Sequence, residues 1–322
     1  MDAWLGIRRS VCVGVRLVLA VTVALAVVGC GQRTGQATTA RPATTARPAA
    51  DARIGPRLNF AYDLARPLGF VDRGVRERRG SISVHDIVFM AGSDRVEGYL
   101  VEPKASKRRP AVVLVHGAGG DRRQLLAHAI ALARRGVVAL TITQPSTSHP
   151  PPPATLAQLL AESKSITRRD VIAARRAADV LAARPTVDAR RLGYLGWSAG
   201  AKTGTFVAAS DARFRALALL SAGADTLSAF VHAAPKASRP LVRRELGSVD
   251  PLRYAALARP GTLLLEDGTG DEVVPRKALE NMIHAAPPKT VVRWYPTGHA
   301  LNAHAYDEAL TWLLTKLGVA TP

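Results

Sequence analysis

Leu192-Gly193-Tyr194-Leu195-Gly196-Trp197-Ser198-Ala199-Gly200-Ala201-Lys202-Thr203-Gly204 is the stretch whose reading decides the fold. Leu192–Leu195 is a short β-type run, and the small and apolar residues from Ala201 to Ala209 suit a helix. Gly196-Trp197-Ser198-Ala199-Gly200 between them fits G-x-S-x-G. A sharp strand-to-helix turn there pushes the Ser198 hydroxyl out of the sheet, and the flanking glycines leave room for the strained backbone. The start of the following helix favours negative charge developing beside that hydroxyl. As a bare pattern the motif is weak, and the strand-turn-helix setting is what gives it weight.

Working outward, the chain alternates short β-type runs with helical stretches. Ile82–Phe89 and Val96–Val101 flank the turn Ala91-Gly92-Ser93-Asp94 and read as an antiparallel pair. Ala111–Val115, uniformly apolar, reads as a central strand covered on both faces. Val137–Ile142, Ala216–Leu220, Thr262–Leu265 and Thr290–Tyr295 complete the strands. In the longest helical stretch Val171, Ala174, Ala178 and Leu181 recur at spacings of three and four. This alternation predicts an α/β fold, a mostly parallel sheet with helices on both faces and functional loops at the carboxyl ends of strands. Two segments interrupt it: Thr143–Pro153 with its four consecutive prolines, and Asp225–Pro260, broken by Pro235, Pro240 and Pro251. Both are expected to border a substrate cleft.

His116-Gly117-Ala118-Gly119-Gly120 follows the central strand directly. A glycine-rich loop there can aim a backbone N–H at the oxyanion formed when Ser198 attacks a carbonyl. The two donors are expected to be the amides of Ala118 and Ala199, and such a donor contributes about 3–4 kcal/mol to catalysis. His116 is read as part of that loop's structure.

From Ile82 to the C-terminus the chain resembles the α/β-hydrolase superfamily, and within it the dienelactone-hydrolase-like esterase branch. The likeness rests on HGAGG, GWSAG, Arg184-Pro185 with Val187-Asp188 before the strand of the turn, and two later loops. Asp267-Gly268-Thr269-Gly270-Asp271-Glu272-Val273-Val274-Pro275 resembles the family's acid loop, which puts the triad carboxylate at Asp271. Gly298-His299-Ala300 resembles its histidine loop. The order Ser, Asp, His is that of the superfamily. Enzymes that open dienelactones carry Cys where this chain has Ser198, and dehalogenases of the same fold carry Asp. The resemblance therefore implies a serine hydrolase that cleaves carboxylic esters through an acyl-enzyme. A prolyl-oligopeptidase-like peptidase is a weaker alternative because no propeller-sized segment precedes the hydrolase-like region. A non-catalytic lipoprotein using the fold as a binding module is the other. Asp267 and Glu272 rival Asp271, and His304 lies close to His299 in a C-terminal helical pattern. Trp197 is read as packing under the turn in preference to lining an acyl pocket. Neither a cofactor nor a metal is expected.

The N-terminus predicts export. Arg8, Arg9 and Arg16 precede an uncharged apolar run from Leu17 to Val28, as in a secretory signal. The run is short for a membrane span, which needs about 20 apolar residues. Val27-Val28-Gly29-Cys30 resembles the bacterial lipoprotein box, which implies lipid on Cys30 and cleavage before it. The route, general secretory or twin-arginine, is left open. Residues 1–29 are thus assigned to the signal and 30–57 to a Thr/Ala/Pro/Arg tether. Residues 58–322 form the catalytic domain. The other cysteine of the chain's two, Cys12, lies in the signal, which excludes disulfides, a thiol nucleophile and Cys-bound metal from the exported part. Formal net charge is +19; the first 57 residues, with eight Arg and two Asp, hold +6 of it, leaving +13. Such a body can dwell near anionic lipids or wall polymers. The Arg pairs at 134–135, 168–169, 175–176, 190–191 and 243–244 are scattered, read as solvated helix faces, and argue against nucleic acid as a partner. The expected partners are a small-molecule ester and, through the anchor, a membrane. The oligomeric state is not set by these features.

Overall fold

The structure is a computed structural model and describes residues 56–104, 106–147, 155–223 and 226–320. The signal, Cys30, nearly all of the tether and the proline run at 150–153 lie outside them.

Nine strands form one sheet in the order β1-β2-β3-β5-β4-β6-β7-β8-β9. They are β1 Val71–Arg79, β2 Ile82–Ala91, β3 Asp94–Pro103, β4 Arg109–Val115, β5 Val138–Ile142, β6 Val187–Trp197, β7 Phe214–Leu220, β8 Leu263–Gly268 and β9 Val291–Tyr295. The hairpin between β2 and β3 turns over Gly92-Ser93, with Ala91 paired to Asp94 and Gly92 at φ +67 as that tight turn requires. β3 runs antiparallel to β5, and from β5 through β9 all pairings are parallel. The mostly parallel α/β fold expected from the sequence is thus present.

Central strands bury both faces. In β4, Ala111, Val113 and Val115 join one core, while Val112 and Leu114 join the other. The first core is covered by α2 (Leu156–Ala182), α3 (Ala199–Ser210), the short α6 (Pro251–Ala255) and α7 (Arg276–Ala285). The second lies under α1 (Leu126–Arg134) and α8 (Ala303–Lys316). The expected helical stretch around Val171 is part of α2, whose N-cap Thr155 exchanges bonds with Gln158 in a capping box. Residues Arg57–Asp225 with Val249–Pro322 form one compact unit. In the second unit, Thr226–Ser248 carry α4 (Thr226–Ala233) and α5 (Arg239–Gly247).

Three expectations need correction. Strand β1 precedes the first strand read from the sequence. Its Val-Asp-Arg-Gly-Val-Arg-Glu-Arg-Arg is an exposed edge strand with no buried face to impose an apolar pattern. The breaks at the prolines of 225–260 are boundaries between helices, not irregular chain: Pro240 and Pro251 open α5 and α6, where a missing N–H costs nothing. Finally, Arg168–Arg169 and Arg175–Arg176 are not a solvated face. They hold the segment that precedes β1 and the hairpin beside it. Arg168 donates to Asn59 O and to Ala61 O (2.9 Å), Arg175 to Phe60 O (2.6 Å) and Arg176 to Arg66 O (2.8 Å). Arg169 pairs with Asp94 at 2.6 Å. Backbone carbonyls of an irregular segment need donors, and the guanidinium forks supply them.

Candidate active site

The turn from β6 into α3 is tight for steric reasons that can be named. Ser198 sits at φ 54, ψ −114, a region that ordinary residues avoid. A Cβ on Gly196 would lie 2.4 Å from Gly200 O, and one on Gly200 would lie 2.1 Å from Val115 O. Both glycines of the motif are therefore demanded by close backbone approach. The Ser198 amide is held by Leu220 O of β7 at 2.8 Å, and its carbonyl accepts from Lys202 N at 3.0 Å.

Opposite this turn stands His299, on the loop between β9 and α8. Its Nε2 is 2.9 Å from Ser198 Oγ, and its Nδ1 is 2.8 Å from Asp271 Oδ2. An ionised carboxylate only accepts, so Nδ1 carries the proton and Nε2 is free to accept from the serine hydroxyl. Asp271 Oδ1 accepts from the amides of Val273 (2.9 Å) and Val274 (2.8 Å), which fixes the carboxylate plane. The Asp271 side chain is 1% exposed and that of His299 9%, so the relay is largely withdrawn from water.

The glycine-rich loop lies against Ser198: a Cβ on Gly117 would come within 3.4 Å of the serine Cβ and 2.6 Å of the Trp197 ring. The Gly117 amide is engaged by Gln124 Oε1 at 2.9 Å. Among the described residues, the amides of Ala118 and Ala199 donate to no protein acceptor, so both expected oxyanion donors are available. His116 is buried and structural. The Gln144 amide donates to its Nε2 (3.0 Å), so Nδ1 holds the proton and donates to Gly117 O (2.7 Å). Burial lowers its pKa and keeps the ring neutral.

The rival residues take other places. Asp267 is buried in β8; burial and the neighbouring Asp271 charge push its pKa up to about 7, and its Oδ1 has no hydrogen-bond partner. Glu272 accepts the backbone amide of His299 at 3.2 Å. His304 is 71% exposed and faces Glu308.

The family model "Dienelactone hydrolase family" matches residues 96–310. The chain belongs to the dienelactone hydrolase family. It is accordingly a carboxylic ester hydrolase. Among solved structures, this family member is similar to an acetyl xylan esterase from Paenibacillus sp. R4 (19% identity, TM-score 0.65, 78% of this chain and 89% of that one). It is similar too to acetyl xylan esterase 1 from Thermoanaerobacterium sp. JW/SL YS485 (17%, TM-score 0.64, 77% and 88%). A glucuronoyl esterase from Solibacter usitatus also matches (14%, TM-score 0.58, 80% and 88%). At these identities the likeness is one of fold. No curated protein matches the chain.

Sequence reading of this dienelactone hydrolase family member did not reveal how the histidine is held. Trp197 Nε1 and Ser221 Oγ both donate to His299 O at 3.0 Å. With Glu272 on the amide, the peptide groups on both sides of the imidazole are clamped by side chains from three elements. Trp197 also packs beside the His299 ring (centroids 5.3 Å). Ser221, at φ 53 just after β7, carried no motif; its strained backbone is visible only in three dimensions.

Proposed function

We propose that the protein is a serine esterase: Ser198 is the nucleophile, His299 the general base and acid, Asp271 the residue that orients His299. The observation that carries this reading is the continuous hydrogen-bonded relay from Asp271 Oδ2 through His299 to Ser198 Oγ, at 2.8 and 2.9 Å. Ser198 Oγ attacks the ester carbonyl carbon as its proton passes to His299 Nε2. The carbonyl oxygen becomes an oxyanion held by the Ala118 and Ala199 amides. Collapse expels the alcohol, which takes the proton from His299. Water, deprotonated by the same nitrogen, then attacks the acyl-enzyme and releases the acid and free Ser198. A fluorophosphonate probe tests the reading: wild type should label stoichiometrically and lose ester hydrolysis, and Ser198→Ala should do neither. Labelling that persists in Ser198→Ala would place the nucleophile elsewhere.

The second part of the proposal concerns location. Val27-Val28-Gly29-Cys30 and the tether support lipid attachment at Cys30 and display of the enzyme on the outer face of the cell membrane.

A further inference from the structure

The two amides assigned to the oxyanion sit on separate elements, Ala118 on the loop after β4 and Ala199 at the first position of α3. They can serve one oxygen only if loop and helix keep a fixed separation, because a donor helps when it points at the place where charge develops. Backbone contact sets how closely the two approach: a Cβ on Gly200 would lie 2.7 Å from His116 O. Such packing limits distance but does not aim an N–H.

A chain of buried polar groups supplies the aim. Thr203 lies one turn after Ala199 on α3, and its Oγ1 donates to Gln144 Oε1 at 2.7 Å. The Gln144 amide donates to His116 Nε2 at 3.0 Å, and Gln144 Nε2 faces His116 O at 3.5 Å. His116 Nδ1 in turn donates to Gly117 O at 2.7 Å, and the Gly120 amide donates to the same oxygen at 3.1 Å. That carbonyl belongs to the same planar peptide group as the Ala118 N–H, so holding the oxygen fixes the direction of the N–H. His116, Gln144 and Thr203 are 1%, 2% and 6% exposed, which keeps water from competing for these bonds.

Gln144 is the member between the two elements. It follows β5, and its own backbone is anchored: its carbonyl accepts from Thr147 N (3.0 Å) and Thr147 Oγ1 (2.7 Å). Ser146 of the same turn donates its amide to Asp170 of α2 at 3.0 Å. From this fixed point the side chain reaches α3 while the backbone amide holds the oxyanion loop.

We propose that Gln144 is a positioning residue for ester hydrolysis: it ties the nucleophile helix to the oxyanion loop and so sets the distance and aim of the Ala118 and Ala199 amides. This inference rests on the serine esterase reading.

The test follows the kinetics with which a fluorophosphonate labels Ser198, since its phosphoryl oxygen takes the oxyanion's place as phosphorus is attacked. Gln144→Met and Thr203→Val each remove the link and keep a side chain of similar shape. In both, the maximal labelling rate constant should fall about 5–50-fold, short of the loss of a whole donor. The half-saturating probe concentration should stay within about twofold, because ground-state binding is untouched. The midpoint of the labelling rate against pH, set by His299, should hold within about 0.3 units, which separates this effect from damage to the relay. Thr203→Ser keeps the hydroxyl and should stay within about threefold of wild type. Wild-type labelling rates in folded Gln144→Met and Thr203→Val overturn the assignment. So does an equal loss in Thr203→Ser, a loss confined to the half-saturating concentration, or a shifted pH midpoint. Should circular dichroism show Gln144→Met unfolded, Thr203→Val decides. An unlabelled wild type defeats the serine esterase reading, whereas a labelled wild type with variants equally fast defeats Gln144 alone.

Discussion

Asp271 commits both oxygens to fixed donors, one to the imidazole and one to two amides of its own loop. Asp271→Asn keeps this shape but can turn its NH₂ towards Nδ1. The imidazole then carries its proton on Nε2 and cannot accept from Ser198. We expect kcat to drop by up to about 10⁴ near neutral pH, with folding retained. Asp267→Asn, which touches neither His299 nor Ser198, should lose less than about tenfold. The reverse ranking of the two variants in steady-state kinetics would move the acid role to Asp267. The clamp on His299 makes a further residue-scale prediction. Trp197→Phe and Ser221→Ala each remove one donor from His299 O, and a misplacement of the ring by a fraction of an ångström is costly to proton transfer. Each should lower kcat about 3–30-fold and leave KM within about twofold. Wild-type kcat in both variants would mean that the carbonyl contacts do not position the ring.

At the scale of elements, β8 carries an unusual load. Glu266 is buried with Oε2 unpartnered, and burial lifts its pKa to about 7 against the pull of Arg293, 3.0 Å away. Asp267 beside it is also lifted to about 7. Both groups bind a proton more tightly folded than unfolded. Their stabilising contribution is complete below the unfolded pKa and lost as pH rises through about 7. His116 and His128, whose pKa values are lowered by burial, act in the opposite sense as pH falls below about 6.5. Between pH 8 and 6.5 the two carboxyls should therefore dominate, at about 0.8 kcal/mol each. Thermal melting should rise by a few degrees over that window. Asp267→Asn and Glu266→Gln should each flatten the rise, and a melting temperature that falls from pH 8 to 6.5 would refute the account. The other loaded element is α2. Arg176, with a nearly buried side chain, bonds Arg66 O, Met90 O and Asp179. Arg176→Met should cost about 2–4 kcal/mol. It should also make the segment around 57–70 the first site cut by proteinase K. Unchanged denaturant stability and an unchanged first cut would show that the segment is held by other contacts.

For the whole molecule, the testable features are the anchor and the charge. Cys30→Ala should release the enzyme from the membrane fraction or leave an unprocessed precursor, as followed by immunoblot of fractionated cells. A mutant that is processed and fractionates like wild type would end the lipoprotein proposal. If the net +13 of residues 58–322 concentrates anionic substrate, kcat/KM for monomethyl adipate should fall with added salt more than for methyl hexanoate. Equal salt responses would leave the charge as composition only.

The sequence alone determined the parts that depend on local periodicity and sterics. Parallel strands buried on both faces are mostly apolar, so β4, β5 and β7 were legible. Gly196 and Gly200 must lack side chains for the turn to close, so the nucleophile candidate was legible as well. Asp271 and His299 were readable through the resemblance of their loops, because short loops after strands keep their local pattern. The tertiary structure decided what depends on distant partners. β1 has no buried face to shape its sequence. The arginines of α2 look solvated until the carbonyls of residues 59–66 are laid against them. The hold of Trp197, Ser221 and Glu272 on one histidine joins elements 27 to 102 residues apart. Hydrogen bonds of that kind are satisfied only when the fold brings their donors and acceptors together, and single polar residues on three separate elements leave no periodic trace in the chain.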